Sequence, residues 1–258
     1  NEEMISSAEL SRAACCNLGE SFVTNPSVDV SYSDAATGAK QIKLLGLSGT
    51  YVQMLTENIP NYRGAASPYG LGYVPGPWMQ SIQVSKGISS VKNGYEAITG
   101  QINVEFKKPQ LLEADWVSAN LFASSTNRYE ANADATLKLS KRWSTSLLAH
   151  YENETKAHDG NDDGFVDIPQ VEQYNVWNRW AYMGDHYVFQ AGFKALSESR
   201  TSGQAHHTDM QTGDLYKVGI DTERYEFFTK NAYIFNKEKN TNLALILSAS
   251  WHNQDAMY

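Results

Sequence analysis

From Tyr129 to Ser140 the chain alternates without a break. Tyr129, Ala131, Ala133, Ala135, Leu137 and Leu139 take one set of positions, and Glu130, Asn132, Asp134, Thr136, Lys138 and Ser140 take the other. Successive side chains of a β-strand point to opposite faces, so this run predicts a strand with one apolar and one polar face. The pattern returns at Val117–Ser124, Trp143–Glu152, Tyr174–Tyr182, Tyr187–Leu196, Arg224–Asn236 and Leu243–Trp251. Most of the predicted strands are ~9–11 residues, the length a tilted strand needs to cross a bilayer.

The connections alternate in length. Ser140–Arg142, Gly184–His186 and Lys237–Asn240 are short; Lys156–Val171 and Thr201–Asp221 are long, with Ser125–Arg128 a tight exception. A soluble antiparallel sheet with one wet face has the same period. Strand length, the loop rhythm, and Trp143, Trp180, Tyr182, Tyr187 and Trp251 near strand ends favour a membrane barrel, whose interfaces carry aromatic girdles.

Composition narrows the function classes. The 258 residues hold 21 Lys and Arg against 29 Asp and Glu, a net charge of −8, which argues against nucleic-acid binding. No run approaches the ~18 apolar residues of a membrane-spanning helix, although a barrel hides its apolar half from any average. Cys15 and Cys16 are adjacent and have no other partner, so no disulfide framework exists. The chain opens Asn-Glu-Glu-Met without a secretory signal, and the rest of the sequence favours a piece of a processed, longer chain.

The first hundred residues have a different texture, and the division falls near Pro109. Ser6 and Glu9 have capping-box spacing, and a helix follows with Leu10, Ala14 and Leu18 on one stripe and Gly19 closing it. Short β-like runs occupy Val28–Tyr32, Gln41–Leu45, Tyr51–Leu55, Ser81–Ser85 and Gln101–Lys107. The stretch from Asn61 to Pro77 is rich in Gly, Pro and Tyr and too long for a simple connector, which suggests a functional or exposed segment.

Two motifs lie here. Lys40-Gln-Ile-Lys-Leu-Leu-Gly through Thr56-Glu57-Asn58-Ile59-Pro60 reads as strand, glycine turn, second strand and an acidic-x-x-Pro end. Val74-Pro-Gly-Pro-Trp-Met through Lys107-Lys-Pro109 places Lys86-Gly87, Ser90, Gly94, Ala97, Gly100 and Ile102-Asn103 at fixed spacing. Both resemble the plug domain of TonB-dependent outer-membrane transporters, of a Bacteroidetes-like metal or siderophore type. Ile88, where the pattern has Pro, and Asn93-Gly94, where it has Tyr-Gly, depart from it.

The resemblance covers residues 1–109. It implies a β-rich chain: a small α+β plug over 1–109, then 110–258 as about seven antiparallel strands of an incomplete transmembrane β-barrel. Gly87, Gly94 and Gly100 then permit turns and close strand approach in a crowded lumen. Long loops lie outside the cell and short turns in the periplasm. The implied partners are TonB, through a segment preceding the plug and missing here, a metal chelate or other small solute, outer-membrane lipid and a surface lipoprotein.

Candidate binding residues follow. Asp159, Asn161 and Asp163 occupy positions 1, 3 and 5 of a calcium-loop pattern, with Gly164 at the turn, Phe165 at position 7 and Asp167 at position 9. The acid of position 12 is Gln170, so the loop reads either as an incomplete calcium site or as an Asx-rich turn. His206, His207 and Met210 offer imidazole and thioether donors suited to copper, zinc or haem iron. Cys15 and Cys16 form a second soft pair, or two small packed residues. Tyr62, Arg63, Tyr69 and Tyr73 offer aromatic faces and one cation to a chelate at the plug apex, or wedge the plug against the barrel wall.

No nucleophile elbow, phosphate loop or zinc-protease motif occurs, so an enzyme is not expected. The sequence reads as a transporter of a scarce solute, with a siderophore, haem or copper ahead of a glycan or vitamin. Its rivals are a non-transporting surface-binding or adhesin barrel and a soluble β-sandwich lectin.

Overall fold

The computed structural model describes residues 2–13, 17–22, 25–47, 49–88, 94–206, 213–239 and 241–258. Cys15, Cys16, Ser90, Asn93, His207 and Met210 lie outside the described residues. The chain separates into two compact units, Asn1–Lys107 and Lys108–Tyr258.

The first unit opens with β1 (Glu2–Ser6) and α1 (Ser7–Ala13). The capping box forms, with the Ser6 backbone N–H donating to Glu9 Oε2 at 2.8 Å. The described helix covers Ser7–Ala13, Ala14 of the predicted stripe lies outside the described residues, and Asn17 bridges to Pro75. A hairpin of β2 (Val28–Asp34) and β3 (Ala39–Leu44) stands as its own two-stranded sheet. The main sheet adds β4 (Val52–Thr56), β5 (Ile59–Pro60), β6 (Met79–Lys86) and β7 (Gly100–Phe106), in the order β1-β6-β7-β4-β5. Among the described residues, only the β4–β7 pairing is parallel. Ile82, Val84, Ile102 and Val104 form fully buried cross-strand rows, and Trp78 meets Phe106 edge-on at 5.8 Å.

Between β5 and β6, the Asn61–Pro77 stretch folds into consecutive 3-10 turns, and Ala66, Leu71, Tyr73 and Val74 are buried. The segment, expected to be functional or exposed, is thus largely packed into the core of this unit. Its glycines and prolines let short turns follow one another without strands, so apolar residues pack inward at irregular spacing.

The second unit is a meander of seven antiparallel strands in sequence order: β8 (Trp116–Ala123), β9 (Tyr129–Lys138), β10 (Trp143–Glu154), β11 (Gln170–Met183), β12 (Tyr187–Gly203), β13 (Lys217–Asn236) and β14 (Thr241–Met257). Its faces invert the soluble pattern. On β9 and β10 the exposed or half-exposed face carries Tyr129, Ala133, Leu137, Trp143 and Leu147, while Glu130, Asn132, Ser144, Ser146, His150 and Glu152 are buried. An apolar face left open while polar residues are enclosed is the arrangement of a wall solvated by lipid.

Several strands are longer than the sequence suggested, most of all β12, β13 and β14 at 17, 20 and 17 residues. Past Tyr174, Ala195, Tyr225 and Trp251 the outward positions become Glu172, Ser197, Glu223 and Asn253. Hydrogen-bonded pairing continues there, but the outward positions are polar while Val171, Val218 and Ile220 are buried on the inner face, so the apolar-out alternation ends.

Much of the enclosed polar face is paired internally. Arg128 reaches Glu130 at 2.7 Å and Glu152 at 3.1 Å, His150 Nδ1 contacts Asn132 at 2.7 Å, and Gln173 donates to Glu198 at 2.7 Å. Arg179 lies over the rings of Trp177 and Phe228, 5.6 and 5.9 Å from their centroids.

Candidate functional site

Two places gather the candidate residues, one in each unit. In the plug, a cleft of about 510 Å³ opens between β3, β4 and the segment after β5, lined among others by Lys40, Gln53, Asn61, Tyr62, Arg63 and Glu96. Tyr62 takes a left-handed backbone conformation (φ 52°), held by Asn61, whose side-chain oxygen accepts the Tyr62 N–H at 2.8 Å. Gly70 packs against the Tyr62 ring so closely that a Cβ would collide with it. Arg63 projects its side chain, 53% exposed, and donates from Nε to Glu96 at 2.8 Å. Behind Glu96, Gln53 and Gln101 continue a polar chain from β4 to β7.

The four plug-apex candidates divide. Tyr62, Tyr69 and Tyr73 are all buried, with Tyr62 and Tyr73 rings 6.1 Å apart. Their aromatic bodies are packed within this unit, leaving little free face for a ligand. Tyr62 and Arg63 line the cleft; Tyr69 and Tyr73 do not. Glu96 and Gln53 went unnoticed in the sequence because their meeting depends on a pairing between distant strands.

A second polar arrangement was also missed. Glu57 and Asn58, the acidic-x-x-Pro residues, both have positive φ (56° and 61°) and form the two-residue turn between β4 and β5. The turn is fixed to β7: Glu57 Oε1 accepts the Phe106 N–H at 2.9 Å, and Asn103 Oδ1 accepts the Asn58 N–H at 2.8 Å. Asn58 also donates to Glu105 at 3.0 Å. The Asn103 of the plug motif is thus a brace.

The other place is the layer of loops at the long-loop end of the strand wall. Asp159 Oδ1 and Oδ2 accept the N–H groups of Asp163 and Gly164 at 3.1 and 2.8 Å, Asp163 accepts from Phe165, and Asp167 accepts from Gly160 at 2.6 Å. Asn161 donates to Asp163 at 3.0 Å. This wraps the Asp159–Asp167 segment around its own carboxylates. Phe165 bridges to Gln204, Val166 donates to Gly203 and Ala205 to Gly164, so the loop after β10 is sewn to the loop after β12. His206 Nδ1 reaches Asp159 Oδ2 at 3.5 Å. His158 contacts Thr126 and Asn127, bringing in the turn after β8. Among the described residues, no three His, Cys, Asp or Glu side chains are grouped to hold a metal ion.

Residues 1–101 match the TonB-dependent Receptor Plug Domain family. No curated protein matches the chain by sequence. Among solved structures, the alcaligin outer membrane receptor FauA of Bordetella pertussis aligns with a TM-score of 0.75 at 13% identity, covering 100% of this chain and 40% of its own. The ferric yersiniabactin uptake receptor FyuA of Yersinia pestis aligns at 0.71 and 15%, covering 99% and 41%. The siderophore receptor PiuA of Acinetobacter baumannii aligns at 0.72 and 13%, covering 99% and 36%. At such identities these likenesses establish the fold, and the chain spans about 40% of the length of FauA or FyuA.

Fold and face pattern together define a plug sheet followed by strands of a transmembrane β-barrel. Residues 1–101 thus carry the plug-domain family's match, and the chain as a whole has the fold of the plug and adjoining barrel strands of these solved receptors.

Proposed function

We propose that the chain is the plug and N-terminal barrel portion of a transporter in the outer membrane of a Gram-negative bacterium. Its cargo on this reading is a metal chelate, a ferric siderophore first, with haem or a copper complex next. The observation that carries it is the joining of a plug-family sheet to a wall with its apolar face exposed and its polar face enclosed. The similar structures are, by name, receptors for alcaligin, ferric yersiniabactin and a siderophore, which supports an iron chelate.

In this reading the loops capture cargo at the cell surface, and TonB transmits energy that remodels the plug to open a path. Arg63, beside Tyr62, supplies the cation that meets an anionic chelate, with Glu96 setting its direction. The Asp159–Asp167 loop, already wound around its carboxylates, takes calcium to stiffen the surface layer. His206, His207 and Met210 are secondary contacts for cargo, Cys15 and Cys16 are a soft-metal pair, and a surface lipoprotein is a further partner.

The test is growth of a deletion strain on ferric siderophores, haem and copper under limitation, with and without the full-length receptor. Restored growth on one iron chelate is expected. Unchanged growth on every chelate, with no metal bound to the purified receptor, overturns the reading.

A further inference from the structure

The apolar face of the wall has a hollow at the end bearing the short turns. It measures about 580 Å³ and is lined by Leu139, Ser140, Trp143, Trp180, Phe189 and Ala191. The register explains it. Trp180 pairs with Ala191, while Trp143 and Phe189 both pair with Tyr182, so the smallest side chain of the set lies among three large rings. The rings do not stack across the gap. Trp143 meets Trp180 at 6.5 Å and 74°, and Phe189 at 6.2 Å and 65°, leaving a slot with edge-on walls. The Ser140 hydroxyl oxygen is occupied by the N–H groups of Trp143 and Arg142 at 3.0 and 3.3 Å.

Cations rim this hollow. Lys141 and Arg142 immediately precede Trp143, and both are exposed. Arg142 contacts Asp185 at 2.9 Å, and Lys237 approaches the same carboxylate at 3.8 Å. The three short turns carry four Lys and Arg against two acids, in a chain whose net charge is −8. A locally basic rim beside an apolar slot at the membrane interface complements a lipid with acyl chains and an anionic headgroup.

We infer that this hollow is a binding site for an anionic glycerophospholipid of the periplasmic leaflet, with an acyl chain in the slot and the phosphate against Lys141 and Arg142. It is separate from cargo uptake; a receptor that transports nothing would still hold the lipid. The Arg142–Asp185 contact and the Ser140 turn fix the rim, so the headgroup meets a preset surface.

The experiment is native mass spectrometry of the full-length receptor in mild detergent, delipidated and titrated with phosphatidylglycerol or phosphatidylethanolamine. The wild type is expected to bind phosphatidylglycerol about tenfold more tightly. Lys141→Glu should abolish that preference, and Ala191→Phe, which fills the slot, should remove the tight binding step. Equal binding of the two lipids, or full retention of phosphatidylglycerol by Lys141→Glu, overturns the inference. Heat-modifiable migration checks folding, and Lys141→Glu, in an exposed turn, carries the test should Ala191→Phe not assemble.

Discussion

Asp159 and His206, drawn from loops separated by two strands, approach to 3.5 Å between Oδ2 and Nδ1. Their side chains differ sharply in environment: Asp159 is 6% exposed and His206 56%. The carboxylate is the organising member, holding two backbone N–H groups of its own loop while the imidazole rests on its outer edge.

Asp159→Ala should therefore unwind the segment. Two amide bonds to a charged acceptor are lost, each worth about 1.5–3 kcal/mol when well formed. The expected outcome is faster proteolysis and hydrogen exchange over 158–167, with the strands unchanged. His206→Ala, removing one exposed contact, should alter exchange little.

Calcium at millimolar concentration should protect the same loop from proteolysis, and a chelator should reverse the protection. Asp163→Asn should weaken the effect and Asp159→Ala abolish it. Identical cleavage with calcium and with chelator rules out the calcium-ordered loop.

Much of the wall was readable from the alternation alone, because lipid on one side and polar packing on the other force each residue to declare its face. The strand ends were not readable, since outward Glu172, Ser197 and Glu223 stand beyond the apolar band, where the apolar-out pattern no longer holds. β1 escaped notice for another reason: its partner is β6, far along the chain, and Glu-Glu-Met-Ile-Ser has no alternation of its own. The Asp159 loop was visible as a pattern, but its contact with His206 depends on strands of unforeseen length. The burial of Tyr69 and Tyr73 had no periodic signal, because 3-10 turns and glycines set their directions.

Leu147 lies on the apolar face of β10, between Trp143 and Tyr151. Leu147→Arg should cost about 2–4 kcal/mol if the site is near the bilayer midplane. Urea titration of the refolded full-length barrel in lipid vesicles would measure it; a cost below the error of the method would place that face outside the hydrocarbon.

Gly100→Ala should disrupt the plug, because a Cβ there would run into the Ser85 carbonyl across the β6–β7 pair. Backbone cannot yield as a flexible side chain does, so a loss of about 1–3 kcal/mol is expected, as for overpacking elsewhere. Thermal unfolding of the receptor, read in the plug through Trp78 fluorescence, would report it.

Arg63→Ala should leave stability nearly unchanged, as the side chain is exposed and its ion pair with Glu96 lies near the surface. Binding of the ferric chelate that restores growth should fall about tenfold or more. Unaltered affinity would remove Arg63 from the cargo site.

The two units also differ in how far apart in the chain their contacts are made. Every pairing in the wall joins consecutive strands, whereas the plug sheet joins residue 2 to residue 85 and residue 52 to residue 100. Loop-closure entropy is spent before such distant pairings form, and contact order sets folding speed. Hairpins of the wall can grow one after another, but the plug sheet closes only after β6 and β7 have been made. During synthesis, β1 and β4 emerge early and wait with open edges, a period in which a chaperone or a second chain could pair with them.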